Sequence, residues 1–221
     1  MSAVKRIAVL VSGGGTNLQA LIDAQEQGDI ISGRIAAVIA SKPGVYALER
    51  AKRAGIPSYV VARKDYPDSR AMTVALVDKL KGLNIDLVVL AGFMTIFTEE
   101  MVNAYPNAIL NVHPALIPSF CGKGYYGLHV HERALEYGVK LSGATVHFVS
   151  EECDGGPIVL QKAVEVEQDD TPETLQRRIM EQAEWVILPR AVSLFCQGRL
   201  QVEGRTVRIL KPYQLSKECL Q

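Results

Sequence analysis

Ile7-Ala8-Val9-Leu10-Val11-Ser12-Gly13-Gly14-Gly15-Thr16-Asn17 is the stretch whose reading decides the fold. Its first five residues are apolar and rich in β-branched side chains, which favour a strand. Glycines close the run, and Leu18, Leu21 and Ile22 follow at helical spacing up to Gly28. A short strand that is apolar at every position has both faces buried, as in a parallel sheet covered by helices. Strand, glycine turn and helix are together the opening unit of a doubly wound α/β fold.

The same alternation continues along the chain. Arg34–Ala40 reads as a strand, and Tyr46–Ala54 as a helix stopped by Gly55 and Pro57. Ser58–Val61 follows as a short strand, and a helix capped by Asp68 or Ser69 reaches Lys81. Leu87–Ala91 and Ala108–Val112 are two more apolar runs. After residue 140 the pattern changes. Leu141–Val149 and Pro157–Val166 are extended, with Asp154-Gly155-Gly156 between them read as a hairpin turn. A long helix starts near residue 171 and passes Trp185. Thr171 is one N-cap for it, with Pro172 at the first helical position, and Asp170 with Glu173 is the competing cap. Pro189 ends or kinks this helix, and residues 199–209 hold two short strands around Glu203-Gly204. The fold class is therefore α/β, with a mostly parallel sheet and antiparallel additions in the C-terminal half. One domain is expected over residues 1–221, with about 1–112 and about 113–209 as its two subregions.

Composition narrows the function. Lys plus Arg is 24 and Asp plus Glu is 24, so the formal charge is zero and no whole-chain electrostatic grip on nucleic acid or an anionic membrane is expected. With 48% hydrophobic and 22% charged residues the chain can bury a core without staples. Cys121, Cys153, Cys196 and Cys219 form no CxxC pair, so they read as free thiols in a reducing compartment. The apolar run at the start is too short for a signal core and no run approaches the ~18 residues of a membrane span, so a cytoplasmic protein is expected.

The loop Ser12–Asn17 carries chemistry. Glycines let a phosphate approach the backbone, and the helix start presents free N–H groups to it. The dinucleotide fingerprint fails, because Leu18 stands where a third glycine belongs and Ser41-Lys42 replaces the ribose-binding acid. A Walker loop fails for want of a following lysine. A phosphate monoester fits better, against a tight turn that binds nothing.

Asn111-Val112-His113-Pro114 ends an apolar strand, where open parallel sheets bind ligands. Asn111 and His113 are two apart and share a strand face. An amide and an imidazole side by side can stabilise an oxyanion. A carboxylate such as Asp154 beside His113 would raise the histidine's pKa. The bland alternative is a structural histidine and an Asp-Gly turn. A metal site from His113, His129, His131 and Asp154 is disfavoured, because His129 and His131, two apart on a helix, do not share a face. No metal is expected. A hydrolase built on Ser12 lacks the nucleophile elbow.

Taken together, Ser12–Asn17 (SGGGTN), Leu90–Met94 (LAGFM), Leu110–Pro118 (LNVHPALIP), Ala144–Phe148 (ATVHF) and Asp154–Leu160 (DGGPIVL) resemble the phosphoribosylglycinamide formyltransferases, folate-dependent enzymes of purine synthesis. The likeness runs from about residue 5 to about residue 202. It implies formyl transfer from 10-formyltetrahydrofolate, a co-substrate, to glycinamide ribonucleotide. By resemblance Asn111, His113 and Asp154 are the catalytic trio, with Asp154 keeping His113 cationic. Gly15, Thr16, Asn17 and Glu184 would hold the nucleotide. Arg70, Met94, Thr95, Ile96, Phe97 and Asn111 would meet the folate. Methionyl-tRNA formyltransferases carry a further C-terminal domain, for which this chain is expected to be too short. Formyltetrahydrofolate hydrolases usually carry an N-terminal one, for which a first strand at residue 7 leaves no room. A monomer or a homodimer acting on small molecules is implied. Two departures stand out. Thr95 occupies a position where some members carry arginine, and the loop Ser119–Gly127 is longer than the shortest family versions, with Lys123 as a candidate anion contact.

Overall fold

The computed structural model describes residues 3–212. One mixed sheet runs through them, in the order β3-β2-β1-β4-β5-β6-β7-β9-β8. The strands are β1 (Lys5–Val11), β2 (Gly33–Ala40), β3 (Ser58–Val60), β4 (Leu87–Leu90), β5 (Ile109–His113), β6 (Leu141–Phe148), β7 (Ile158–Glu165), β8 (Leu200–Glu203) and β9 (Thr206–Ile209). The first five are parallel; β6 then turns antiparallel to β5, and β7 to β6.

The helices are α1 (Thr16–Glu26), α2 (Tyr46–Arg53), α3 (Ser69–Gly82), α4 (Glu99–Ala104), α5 (Leu128–Tyr137), α6 (Pro172–Ile179) and α7 (Trp185–Cys196). Alternate residues of β1 feed two cores. Ile7, Val9 and Val11 pack with Leu18, Leu21 and Ile22 of α1 and Ile187 and Leu188 of α7. Ala8 and Leu10 pack with Met72, Leu76 and Leu80 of α3 and Met101 of α4. This two-sided burial is why β1 is apolar from Ile7 to Val11.

Local signals set most boundaries. Asp68 caps α3 by accepting from the Ala71 N–H at 2.7 Å. Thr171 caps α6 in a reciprocal box with Thr174 and with Pro172 in its first turn, so of the two expected caps the Thr171 one forms, while Asp170 instead binds Arg178. The expected single long helix is interrupted by a π-helical segment, Met180–Glu184, and Pro189 lies inside α7 without ending it. The expected tight hairpin at Asp154 is wider than two residues, because the whole of 149–157 joins β6 to β7. α4 carries no periodic signal at six residues and was not expected.

The sheet order reverses between β1 and β4, so a crevice opens at their carboxyl ends, where the SGGGTN loop and the LAGFM segment meet. Gly15 sits at φ 73°, and a Cβ there would lie 2.7 Å from the Cβ of Ala47. Gly15→Ala should therefore lower stability by about 1–3 kcal/mol in urea unfolding; an unchanged midpoint would contradict the packing described.

Candidate active site

One end of the crevice is built where α1 starts. Among the described residues no side chain caps α1, so its first N–H groups stand behind open glycine backbone at Gly13 and Gly14. Asn17 and Glu184, far apart in sequence, meet here: Asn17 Nδ2 donates to Glu184 Oε2 at 2.5 Å. Both are buried, and Asn17 Oδ1 has no hydrogen-bond partner among the described residues. Burial pushes the Glu184 carboxyl up to about 7, against the pull of Asn17. Thr16 lies beside them, its hydroxyl 3.8 Å from Met180 Sδ. Ser12 is a tie here, and no histidine contacts it: its hydroxyl receives Ser41 Oγ at 2.7 Å and the Met94 N–H at 2.8 Å.

That tie anchors the segment after β4. Phe93 and Phe97 stack at 5.1 Å, while Met94 and Ile96 are 56% and 80% exposed. Both apolar side chains thus stand in water just beyond the carboxyl end of β4. Thr95 is half-buried between them. Arg70, on α3, pairs with Glu100 of α4, so its guanidinium already has a partner.

The third cluster arises from strand parity. On β5 Leu110 and Val112 face a core, so Asn111 and His113 face the other way. On β6 Ala144, Val146 and Phe148 face that core, so Thr145 and His147 turn with them. The antiparallel register sets Asn111 opposite His147 and His113 opposite Thr145. Asp154 reaches the group from the 149–157 loop at φ 55°, a left-handed conformation that aspartate tolerates. Gly156 behind it could carry no Cβ without striking the Phe148 carbonyl.

Asp154 is the hub. Its Oδ2 accepts from the Gly122 N–H at 2.9 Å and lies 3.6 Å from His113 Nδ1. Its Oδ1 lies 3.5 Å from Asn111 Nδ2 and 3.6 Å from His147 Nε2. Burial alone would raise its pKa. The His147 ring, the charge of His113 and the Gly122 N–H outweigh burial and hold it below the usual carboxylate range. His113 Nε2 sits 2.8 Å from the Phe120 carbonyl, so an acceptor faces each ring nitrogen. Burial nevertheless dominates, and with His147 it outweighs Asp154 and the Phe120 carbonyl, so the His113 pKa is lowered. The expectation that Asp154 lifts it overall is corrected: Asp154 pulls upward, but the pocket is dry enough to win.

His147 was quoted within the ATVHF segment without a role. Its Nδ1 lies 2.8 Å from the Phe148 carbonyl, and its Nε2 faces both Asn111 Nδ2 at 3.1 Å and Asp154 Oδ1 at 3.6 Å. Thr145 is a second support. It donates to the Ala115 carbonyl at 2.7 Å and accepts from the Ile117 N–H at 3.1 Å, fixing the turn after His113. His129 pairs with Glu132 at the surface, whereas His131 is buried on the same helix, so the two do not converge. Lys123 is exposed on the outer side of the 119–127 loop, beside His129 and Arg133.

Residues 5–192 match the family described as formyl transferase. The chain belongs to that family. Within it, the phosphoribosylglycinamide formyltransferase of Haemophilus influenzae is 45% identical over 200 residues, covering 90% of this chain and 91% of that protein. The crystal structure of glycinamide ribonucleotide transformylase 1 from Symbiobacterium toebii matches with a TM-score of 0.90 at 47% identity over 96% of each chain. A formyltetrahydrofolate deformylase from Pseudomonas syringae pv. tomato matches at TM-score 0.85 with 26% identity, this chain covering 67% of it. The formyl transferase fold thus brings the Asn111, His113 and Asp154 side chains to one place, with the Asn17–Glu184 pair at the end of β1.

Two outcomes follow from the electrostatics. Asp154→Asn removes the largest upward pull on His113, so the His113 pKa should fall further in a histidine NMR titration; a rise or no change would contradict the assignment. Glu184 has a raised carboxyl pKa when folded, so its stabilising contribution is complete below the unfolded value of 4.5 and is lost as pH rises through about 7. Glu184→Gln should therefore gain stability relative to the unchanged protein between pH 5 and pH 8, by up to ~3 kcal/mol. A pH-independent difference would contradict a buried, proton-binding Glu184.

Proposed function

We propose that this chain transfers the formyl group of 10-formyltetrahydrofolate to the amine of glycinamide ribonucleotide, giving the formylated nucleotide and tetrahydrofolate in de novo purine synthesis. The observation that carries the reading is the meeting of Asn111, His113 and Asp154 beside a glycine loop whose helix start is uncapped. Gly15, Thr16 and Asn17 hold the ribose phosphate, which finds N–H donors and the positive end of α1. Glu184 and the unpartnered Asn17 Oδ1 are left to the ribose hydroxyls. The pterin lies along Met94, Thr95, Ile96 and Phe97, held by backbone groups and the exposed apolar side chains. Arg70 reaches the folate only by leaving Glu100.

The amine attacks the formyl carbon directly, so no enzyme nucleophile or metal is needed. Negative charge collects on the formyl oxygen as the tetrahedral centre forms. Asn111 Nδ2 and a ring N–H of His113 donate to it. His113 is drawn toward its charged form as that oxyanion develops, because the negative charge adds to that of Asp154 and offsets burial. The nitrogen that attacked loses a proton, N10 of the folate gains one, and the C–N bond to N10 breaks. Asp154, ionised in its network, passes that proton through water. Every group named belongs to one chain, so the reading holds for a monomer or a homodimer. It uses small molecules alone, with neither nucleic acid nor membrane, and suits the cytoplasm; no described helix is long and apolar enough to cross a bilayer.

Hydrolysis of formyltetrahydrofolate is the second reading, favoured only by the shared fold of the deformylase. The two separate on one assay. Purified protein should release tetrahydrofolate when glycinamide ribonucleotide is present and not with water alone; release without the nucleotide would reject the proposal. His113→Ala should lower turnover by about 10²–10³. Asn17→Ala should raise the nucleotide KM with a smaller change in kcat, and an unchanged KM would remove the loop from the nucleotide site.

A further inference from the structure

Two thiols lie on the two loops that meet at the Asp154 carboxylate, and nothing in the proposed chemistry uses them. Cys153 precedes Asp154. Gly122 donates its N–H to that carboxylate at 2.9 Å, and Cys121, whose Sγ lies 3.3 Å from the Pro118 carbonyl, precedes Gly122. The Gly122–Asp154 hydrogen bond thus sets residues 121 and 153 on facing loops. Each sulfur feels the other loop: Asp154 and Glu152 act on Cys121, and Asp154 and Cys121 act on Cys153. Cys153 is exposed and Cys121 half-exposed, so a solute reaches both, whereas Cys196 is buried.

We propose that Cys121 and Cys153 form a dithiol site for small-molecule disulfides such as oxidised glutathione, and that their oxidation staples the 119–127 loop to the Asp154 loop and stops turnover. The chemistry balances in two exchanges. One protein thiolate attacks a sulfur of the reagent, forming a mixed disulfide and releasing one glutathione thiol. The second protein thiolate attacks the protein-side sulfur of that bond, forming Cys121–Cys153 and releasing the second. The protein loses two protons and two electrons, and the reagent gains them.

The loops can supply the approach a disulfide requires, Cα atoms about 4.4–6.8 Å apart. Gly122 and Gly124 have open space around their Cα atoms, whereas Gly155 and Gly156 are hemmed in by Glu152 and Phe148. The 121 side is thus the one that adjusts. Burial first, then the charge of Asp154, pushes both thiols above their usual value, so exchange is slow at neutral pH and speeds up as pH rises.

Inhibition follows from what the loop already touches. The Phe120 carbonyl accepts from His113 Nε2 and the Gly122 N–H holds Asp154. A covalent link at residue 121 would keep that pair of contacts closed and hold the His113 donor away from a formyl oxygen. This last step rests on the proposed formyl transfer; formation of the link does not.

The test uses the full chain as Cys219→Ser, incubated with oxidised glutathione at pH 8 and read by intact mass and peptide mapping, then by tetrahydrofolate release. The expected product has lost two hydrogens, joins the Cys121 and Cys153 peptides, turns over at least about tenfold more slowly and recovers with dithiothreitol. Cys121→Ser and Cys153→Ser should each block the link and stay active in the same buffer. Separate glutathione adducts without a joined peptide would overturn the dithiol site. A joined peptide with undiminished turnover would overturn the inhibition, while a joined peptide in a protein that never releases folate would reject the formyl transfer and leave the site standing.

Discussion

Asp154 is ionised, its side chain is only 10% exposed, and its backbone is left-handed. Burying an unpaired charge costs several kcal/mol in general, so an arrangement of this kind persists only with partners. Here the partners come from three places: β5 through Asn111 and His113, β6 through His147, and the 119–127 loop through Gly122. None of them can shift without leaving the carboxylate short of a donor. The position of Asn111 and His113 is therefore set by one charge seeking neutralisation in a dry place.

The fold prepares that place by parity. Antiparallel pairing of β5 with β6 puts Asn111, His113, Thr145 and His147 on one face, while Leu110, Val112, Val146 and Phe148 pack the core behind them. The parallel half of the sheet does the complementary task. Its strand order reverses beside β1, which opens a crevice between the start of α1 and the segment Met94 to Phe97. Ser12 joins the two sides of that crevice, since its hydroxyl receives the Met94 N–H.

Much of this was legible in residues. The apolar run Ile7–Val11 closed by glycines pointed to the parallel sheet, because only two-sided burial tolerates it. The two-residue spacing of Asn111 and His113 placed them on one face. Asp154 was different: no periodicity links residues 43 positions apart, and its membership came from the family resemblance. His147 was overlooked because its partner depends on strand register, which the ATVHF pattern does not specify. The π-helical turn that delivers Glu184 and the short α4 have no periodic signature. The sign of the His113 shift also escaped, because a neighbouring carboxylate is visible in a sequence and the depth of burial is not.

The central claim is that Asp154 acts on the chemical step through His113, and not on substrate binding. Single-turnover formyl transfer with enzyme in excess over both substrates isolates that step. Asp154→Asn should slow the transfer itself by at least about a hundredfold, with nucleotide affinity measured by calorimetry left within about twofold, a change of ~0.4 kcal/mol. A transfer rate equal to that of the unchanged enzyme, or a loss carried wholly by weaker nucleotide binding, would contradict the account.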